Sequence, residues 1–301
     1  MKVVLFCATE RGRQFLHRAR ALLPDSDFHV TTFREDGGEP PFHDAICREA
    51  RQMGAKVYGD PAEADFPSEF DLLFAVSWRY RIPASIYGRA RRGAFLFHDS
   101  LLPRNRGFSP TVWSMIRGEK QTGATLLQMT DEIDGGPIVD QRPVVIEEHD
   151  TIATMLPKVT AAYLDILETN LPMLIDGSFC RRPQDSTKAT YCRKRHPGDA
   201  QIAWQRSSIE IHNLIRALTR PYTGAFTHHD NNQIRIWDSA IHKTRDQRDH
   251  PGRVIEVVFD KGVRVLTGDG GVLTIGDVSL DDAAERIRAG DVLPVGATLG
   301  Q

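Results

Sequence analysis

The stretch that decides the fold runs from residue 93 to residue 140 and reads GAFLFHDSLLPRNRGFSPTVWSMIRGEKQTGATLLQMTDEIDGGPIVD. Its apolar run at 94–97 predicts a buried parallel strand that ends at His98, in a loop rich in Pro and Gly. Chemistry in open α/β sheets concentrates at such carboxyl ends of strands. Asp134 follows in a second, glycine-closed loop, so the stretch offers an acid/base pair. Spacing alone favours the simpler interpretation of a loop histidine beside a solvated acidic turn.

The overall composition is that of an ordinary globular chain. Its 301 residues suffice for two domains, with 41% hydrophobic and 26% charged residues. The net charge is −2 and the isoelectric point is about 6.6. Nothing in this balance indicates a nucleic acid or an anionic membrane as a partner.

The cysteines and the N-terminal region predict a cytoplasmic protein. Four scattered cysteines without a CxxC spacing indicate reduced thiols, and neither disulfides nor a metal site are expected. A secretory signal is not expected, because Glu10 and Arg11 follow the first short apolar run at once. No apolar window approaches the length of a transmembrane helix.

Strand and helix patterns alternate in residues 1–188 and predict a Rossmann-like, doubly wound parallel sheet. The predicted strands are 2–6, 28–33, 56–58 and 70–76, and the helices between them are 12–23 and 43–53. A long apolar helix is predicted at 152–175, where Pro172 is expected to end or kink it. The first strand–helix turn lacks GxGxxG, which argues against a nicotinamide cofactor.

Residues 189–301 show a different pattern of short strands and turns, typical of a small OB-like barrel. A helix with an N-cap serine is predicted at 207–218. The predicted strands are 224–228, 233–237, 252–258, 262–267 and 271–275, followed by a short helix at 281–288.

The sequence of the central stretch resembles that of the folate-dependent formyltransferases, which include methionyl-tRNA formyltransferase and nucleotide-sugar N-formyltransferases. Residues 98–103 read HDSLLP, and Arg106-Gly107, the TGAT of 122–125 and the DGGPI of 134–138 follow in the family's order. Residues 211–217 and 222–226 are similar to the C-terminal domain of the same enzymes. The resemblance implies a formyl-group transferase.

One position departs from the family's pattern. Two residues before the histidine, the family carries a catalytic Asn, whereas this chain has Leu96. Leucine cannot donate a hydrogen bond to an oxyanion, and one such donor is worth about a hundred- to a thousandfold in turnover. Three outcomes are open: another donor replaces the Asn, the pocket runs altered chemistry, or the chain is a binding homologue without activity.

The resemblance also implies roles for particular residues. His98 would accept the proton of the attacking amine or, when protonated, stabilise the oxyanion, and Asp134 would orient it. The co-substrate would be N10-formyltetrahydrofolate, unless the pocket has been adapted to another donor. The walls of the folate slot would be Trp78, Arg79, Tyr80, Arg81 and Ile82 on one side and Met129, Asp131 and Glu132 on the other.

The acceptor is expected to be the amine of a small molecule, with a nucleotide-linked 4-amino sugar favoured. A tRNA enzyme needs a basic face, but residues 189–301 hold about fifteen Lys and Arg against about fourteen Asp and Glu. Where the tRNA enzymes carry a basic insertion, residues 34–39 are short and net acidic. Other acceptors left open are hydroxyornithine, a peptidyl amine and methionyl-tRNA. Candidate substrate-binding residues are Ser100 and Arg106, either of which could instead fix its loop, and Arg193 and Arg195, which could meet a diphosphate.

Overall fold

Apolar, β-branched runs build a seven-stranded sheet in the first of two units of the chain. The strands of this sheet are β1 (Lys2–Cys7), β2 (Asp27–Thr31), β3 (Lys56–Tyr58), β4 (Phe70–Val76), β5 (Ala90–His98), β7 (Gln121–Gln128) and β8 (Ile138–Val145). They lie in the order β3-β2-β1-β4-β5-β7-β8. A short pair, β6 (Arg106–Gly107) with β9 (Tyr191–Cys192), forms a separate two-stranded sheet.

The predicted α/β class is confirmed, with one correction to the sheet. The five neighbouring strands β3, β2, β1, β4 and β5 are parallel to one another, as expected. In contrast, β7 runs antiparallel to β5, and β8 runs antiparallel to β7. The β7–β8 connection is too short for the crossover that a parallel pair requires, so these strands can pair only in opposite directions.

Helices follow the strands as the alternating pattern predicts. They are α1 (Thr9–Leu22), α2 (His43–Gln52), α3 (Ala84–Tyr87), α4 (Pro110–Ile116), α5 (Ile152–Asp176), α6 (Ser208–Leu218) and α7 (Ala289–Val292). Helix α5 continues through Pro172 to Asp176, so the first alternative, that this proline ends the helix, is wrong, and the second, a kink, stays a prediction. Just before this helix, the Asp150 carboxylate accepts from the Glu147 main-chain N–H and the Thr154 hydroxyl, which fixes the turn that leads into α5.

The second unit is rich in antiparallel strands, as predicted. Its strands are β10 (Ala225–His229), β11 (Asn232–Ile236), β12 (Ser239–His242), β13 (Val254–Val258), β14 (Gly262–Leu266), β15 (Val272–Ile275), β16 (Asp277–Leu280) and β17 (Ile287–Arg288). They form two four-stranded sheets, β10-β11-β16-β17 and β12-β15-β14-β13. Helix α6 begins at the N-cap Ser207, whose hydroxyl and main chain make reciprocal hydrogen bonds with Glu210.

The computed structural model describes residues 1–35, 41–59, 66–230, 232–242, 249–281 and 285–300. Most of the acidic segment 34–39 and the middle of the predicted helix 281–288 lie outside these residues.

The first unit comprises 1–111, 121–145 and 155–194, and the second comprises 112–120, 146–154 and 195–301. The domain boundary predicted between residues 188 and 189 is not tested by this division and stays a prediction. Within the described ranges, no helix combines the length and apolarity needed to cross a bilayer.

Candidate active site

The last residue of β5, His98, is fixed by a main-chain carbonyl. Its imidazole is 6% exposed, and Nε2 lies 2.9 Å from the carbonyl oxygen of Asn105. A carbonyl oxygen can only accept, so Nε2 carries the proton in the neutral ring. The lone pair is therefore on Nδ1, which lies 3.7 Å from Oδ1 of Asp134.

Asp134 is held in an unusual backbone conformation beside this imidazole. Its φ of 51° lies in the left-handed region, which costs a non-glycine residue about 1–2 kcal/mol. Its other carboxylate oxygen, Oδ2, accepts from the main-chain N–H of Gly107 at 2.8 Å. Gly107 itself has a φ of 100°, and a Cβ there would lie 2.4 Å from the Cys192 carbonyl oxygen. The close approach of β6 to β9 thus requires glycine at the point that binds Asp134.

These contacts allow His98 to act as a proton acceptor. A proton arriving at Nδ1 would give an imidazolium whose two N–H groups face the Asn105 carbonyl and the Asp134 carboxylate. Both side chains are buried, so the charges would interact with little screening by water. The structure therefore brings together the two residues that the sequence predicted as a pair.

Leu96 lies in the same strand as His98 and has apolar surroundings. It pairs in register with Ala75 of β4 and Leu127 of β7. Its partly buried side chain packs against a buried cluster that includes Leu73 and Ala75, and also against the small cluster of Leu102, Leu127 and Ile138. Position 96 therefore contributes apolar surface where a polar side chain was expected from the family's pattern.

A partly buried ion pair beside His98 was missed in the sequence analysis. The Asp99 carboxylate lies 3.7 Å from the Arg11 guanidinium and accepts a hydrogen bond from Thr111. Burial alone would raise the pKa of Asp99, but Arg11 and His98, helped by the Thr111 hydroxyl, outweigh it and lower the pKa below its ordinary value. Arg11 also lies over the ring of Tyr163, whose pKa is raised by burial and by Asp99. The only sign of this ion pair in the sequence is the acidic residue Asp99 directly after His98.

The first predicted folate wall follows β4 and is rich in aromatic side chains. Trp78 packs edge-on against Phe6 and Phe33, and Tyr80, which is 53% exposed, lies against both Phe33 and Trp78. The indole Nε1 of Trp78 is buried without a hydrogen-bond partner among the described residues. Arg79 lies over the Phe33 ring, and Ile82 is buried in the cluster against which Trp78 packs.

The second predicted wall follows β7 and meets the first. The main-chain N–H of Met129 donates to the Ala94 carbonyl of β5, and its side chain packs against the same buried cluster as Trp78 and Leu96 do. Asp131 accepts from the Tyr87 hydroxyl at 3.1 Å and lies 3.6 Å from Arg81. The Arg81–Asp131 contact therefore joins the two walls at their exposed edge.

Two family models match the chain in tandem. The model described as formyl transferase covers residues 44–169, and the model described as formyl transferase, C-terminal domain, covers residues 195–288. The chain belongs to the formyl transferase family. The predicted family, and with it the enzyme class of formyl-group transferases, is confirmed.

Solved formyltransferases are similar to this chain in fold. An N-formyltransferase from Helicobacter canadensis, solved with folinic acid and dTDP-3-aminofucose, is 19% identical over 91% of this chain and 98% of its own, with a TM-score of 0.71. A 4-N formyltransferase from Francisella tularensis is 21% identical over 75% of this chain and 91% of its own, with a TM-score of 0.62. HypX from Aquifex aeolicus, solved with tetrahydrofolic acid, is 17% identical over 97% of this chain, with a TM-score of 0.64. This chain covers 46% of HypX.

In this formyl transferase, two candidate substrate-binding residues are engaged by the protein itself. The Ser100 hydroxyl donates to the Arg104 carbonyl oxygen at 2.7 Å. The Arg106 guanidinium is 1% exposed and donates to Gln184, Glu132 and Tyr191. For both residues this geometry favours the alternative in which the side chain fixes its loop.

The other two candidates are basic residues in a later segment of the chain. Arg193 is exposed, and its guanidinium donates to the Lys194 carbonyl oxygen. Arg195 lies 5.0 Å from the ring centre of Tyr222, and its buried Nε has no hydrogen-bond acceptor among the described residues.

One group of side chains in the described ranges has the spacing of a metal site. Atoms of Glu147, His149 and Asp150 lie within 4.8 Å of one another. The Asp150 carboxylate already accepts from the Glu147 main-chain N–H and the Thr154 hydroxyl, so this group is better explained as a turn that leads into a helix.

Proposed function

We propose that the chain transfers the formyl group of N10-formyltetrahydrofolate to the amine of a small molecule, with a nucleotide-linked 4-amino sugar as the favoured acceptor. The observation that carries the proposal is the arrangement at His98. Nε2 is tied to the Asn105 carbonyl, so Nδ1 is left with its lone pair beside the Asp134 carboxylate. An amine that attacks a formyl carbon must lose a proton, and this arrangement provides a site for it.

The walls of the folate slot fit the donor in chemical terms. Pterins carry ring nitrogens and a carbonyl oxygen, and the buried Nε1–H of Trp78 is a donor in need of an acceptor. Aromatic neighbours at Phe33 and Tyr80 and apolar surface at Leu96 and Met129 suit the flat ring. These features support Trp78 and its neighbours as the residues that would hold the folate.

His98, Asp134 and Asn105 have separate roles in the proposed formyl transfer. When bound, the folate supplies a formyl carbon whose oxygen gains negative charge as the amine attacks. His98 receives the amine's proton at Nδ1, and Asp134 stabilises the resulting imidazolium. The Asn105 carbonyl keeps the ring in one orientation throughout. Both N–H groups of the protonated ring then face Asn105 and Asp134, so the ring can stabilise the negative oxygen through its charge but not through a hydrogen bond, and Leu96 supplies no donor either.

A nucleotide-linked sugar as the acceptor is supported by two basic residues, Arg193 and Arg195. The exposed guanidinium of Arg193, and the buried Nε of Arg195, which has no acceptor in the described part of the chain, are suited to phosphate oxygens. The solved relatives include one bound to dTDP-3-aminofucose and one described as a 4-N formyltransferase. Both features favour a nucleoside diphosphate handle on the acceptor.

Leu96 favours a second candidate, a homologue that binds folate and nucleotide sugar with altered or lost chemistry. Its apolar environment leaves the family's oxyanion donor without a replacement from that position. In this case the fold and the folate wall would persist, but turnover would be absent.

Two measurements distinguish the candidates. A thermal-shift screen against 5-formyltetrahydrofolate and a panel of nucleoside diphosphates measures binding. A transfer assay with 4-amino sugars linked to dTDP and UDP then measures formylation in the native chain, with His98→Gln as the inactive control. Binding together with transfer supports the enzyme, whereas binding with no transfer supports the second candidate. The absence of both would refute the proposed function.

The Leu96→Asn variant reports on the missing donor. A gain in transfer of about a hundredfold would indicate that the native site runs without the oxyanion donor. An unchanged rate on top of robust native activity would indicate that another group has replaced it.

A further inference from the structure

The loop that carries Asp134 is clamped by a residue from a distant part of the chain. The side-chain amide of Gln184 donates to the carbonyl oxygens of Asp134 and Gly136, each at 2.7 Å. An amide NH₂ has two hydrogens, so both donors of Gln184 are spent on this turn. The turn is therefore held from its main-chain side by one side chain.

Arg106 fixes the orientation of that amide. Its Nε and Nη2 lie 3.2 Å and 2.9 Å from Oε1 of Gln184. A guanidinium has no acceptor, so the amide oxygen must face Arg106 and the NH₂ must face the turn. The same guanidinium donates to Glu132 at 2.6 Å and to the Tyr191 hydroxyl at 3.3 Å, which anchors it on the opposite side.

Asp134 is consequently held at two places. The Gln184 amide binds its carbonyl oxygen, and the Gly107 N–H binds its carboxylate. Together these contacts maintain the left-handed conformation, which would otherwise relax. A relaxed turn would carry the carboxylate away from Nδ1 of His98.

We propose that Gln184, oriented by Arg106, is a positioning residue that sets the distance between Asp134 and His98. The inference rests on the proposed function, in which this pair handles the proton of the amine. Gln184 does not itself contact the imidazole or the reacting atoms in this account. It acts through the backbone of Asp134.

The test compares Gln184→Met with a matched control, Asn170→Leu. Met keeps the length of Gln but lacks its donors and acceptor. Asn170 also uses its amide NH₂ twice, on Asp140 at 2.7 Å and on the Ile166 carbonyl at 2.8 Å. We expect kcat to fall about a hundredfold in Gln184→Met, with KM for both substrates little changed, because a displacement of about 1 Å in a catalytic group costs that much. Asn170→Leu should retain the native kcat.

Gln184→Glu separates the two halves of the clamp. The carboxylate still accepts from Arg106, but it lacks the two donors to the turn. We expect this variant to lose kcat as Gln184→Met does. Native kcat in a folded Gln184→Glu or Gln184→Met protein would overturn the proposal, as would an equal loss in Asn170→Leu.

A measurement without substrate keeps this inference separate from the proposed function. That measurement is the distance between Oδ1 of Asp134 and Nδ1 of His98 in crystal structures of the variants, which is 3.7 Å in the native chain. If the Gln184 amide holds the turn, this distance should increase by about 1 Å in Gln184→Met and stay unchanged in Asn170→Leu. An increase in a protein that transfers no formyl group would refute the function and retain the positioning role, whereas an unchanged distance would overturn the role.

Discussion

Replacing Gly107 by alanine is expected to damage the site and the fold together. The backbone φ of 100° is unfavourable for any residue with a Cβ, and this conformation costs about 1–2 kcal/mol. In addition, the new Cβ would lie 2.4 Å from the carbonyl oxygen of Cys192, a main-chain atom of the paired strand. Forced overpacking of this kind typically costs about 1–3 kcal/mol more. The total loss in free energy of unfolding should be about 2–5 kcal/mol.

Gly177 provides a matched control for this substitution. It also has a positive φ, 81°, but a Cβ there would meet nothing within 4 Å. Gly177→Ala should therefore show the conformational cost alone, about 1–2 kcal/mol. The difference between the two variants isolates the close approach of β6 to β9.

Urea denaturation of both variants measures these costs. The same proteins, assayed for formyl transfer where both are folded, test the link to the site. Because the Gly107 N–H holds the Asp134 carboxylate, Gly107→Ala should also lower kcat about a hundredfold, whereas Gly177→Ala should not. Equal stability losses in the two variants would refute the steric argument. A native kcat in Gly107→Ala would refute the link between this glycine and Asp134.

Three further expectations follow from contacts in the structure. His98→Gln should lower kcat by about 10²–10⁴-fold through loss of the proton acceptor, with substrate binding retained in thermal shifts. The lowered pKa of Asp99 means that its ionised form stabilises the fold at and above its ordinary pKa, and that this contribution is lost as the pH falls through the folded-state value. Asp99→Asn should thus be less stable than the native chain at neutral pH, and the two should converge in acid when unfolding is measured across pH. Arg216→Met removes a buried guanidinium that donates to the carbonyls of Glu147 and Asp150, both at 2.9 Å, and should cost about 2–4 kcal/mol in urea denaturation.

The parts of the fold that the sequence predicted are those with local signals. Strand β5 and its neighbours carry continuous apolar runs, and α6 carries its capping box in four residues. The direction of β7 and β8 is set by pairing across the sheet, which no local pattern reveals. In the second unit, the residues predicted as a short helix at 281–288 include Ile287–Arg288, which form β17. That strand exists because it pairs with β16, so its signal lies in another segment.

The same distinction applies to the site. The pairing of His98 with Asp134 was predictable because both lie in a recognisable motif. The clamp by Gln184 and the ion pair of Arg11 with Asp99 were not, since each joins residues that are far apart in the chain. Arg106 stood in the motif, but its burial against Gln184 and Glu132 depends on loops that the sequence does not place.

Leu96 makes the pH dependence of transfer informative about the role of His98. An Asn amide donates a hydrogen bond at any pH between about 5 and 9, whereas an imidazole carries a positive charge only while it is protonated. If the imidazolium must stabilise the oxyanion in the native chain, its contribution fades as the pH rises, but the amide of Leu96→Asn persists. The ratio of the variant's kcat to that of the native chain should then increase with pH. The protonation of the free amine affects both proteins equally and cancels in the ratio. A ratio that stays constant would mean that His98 serves as the proton acceptor alone and that the negative oxygen is stabilised by another group.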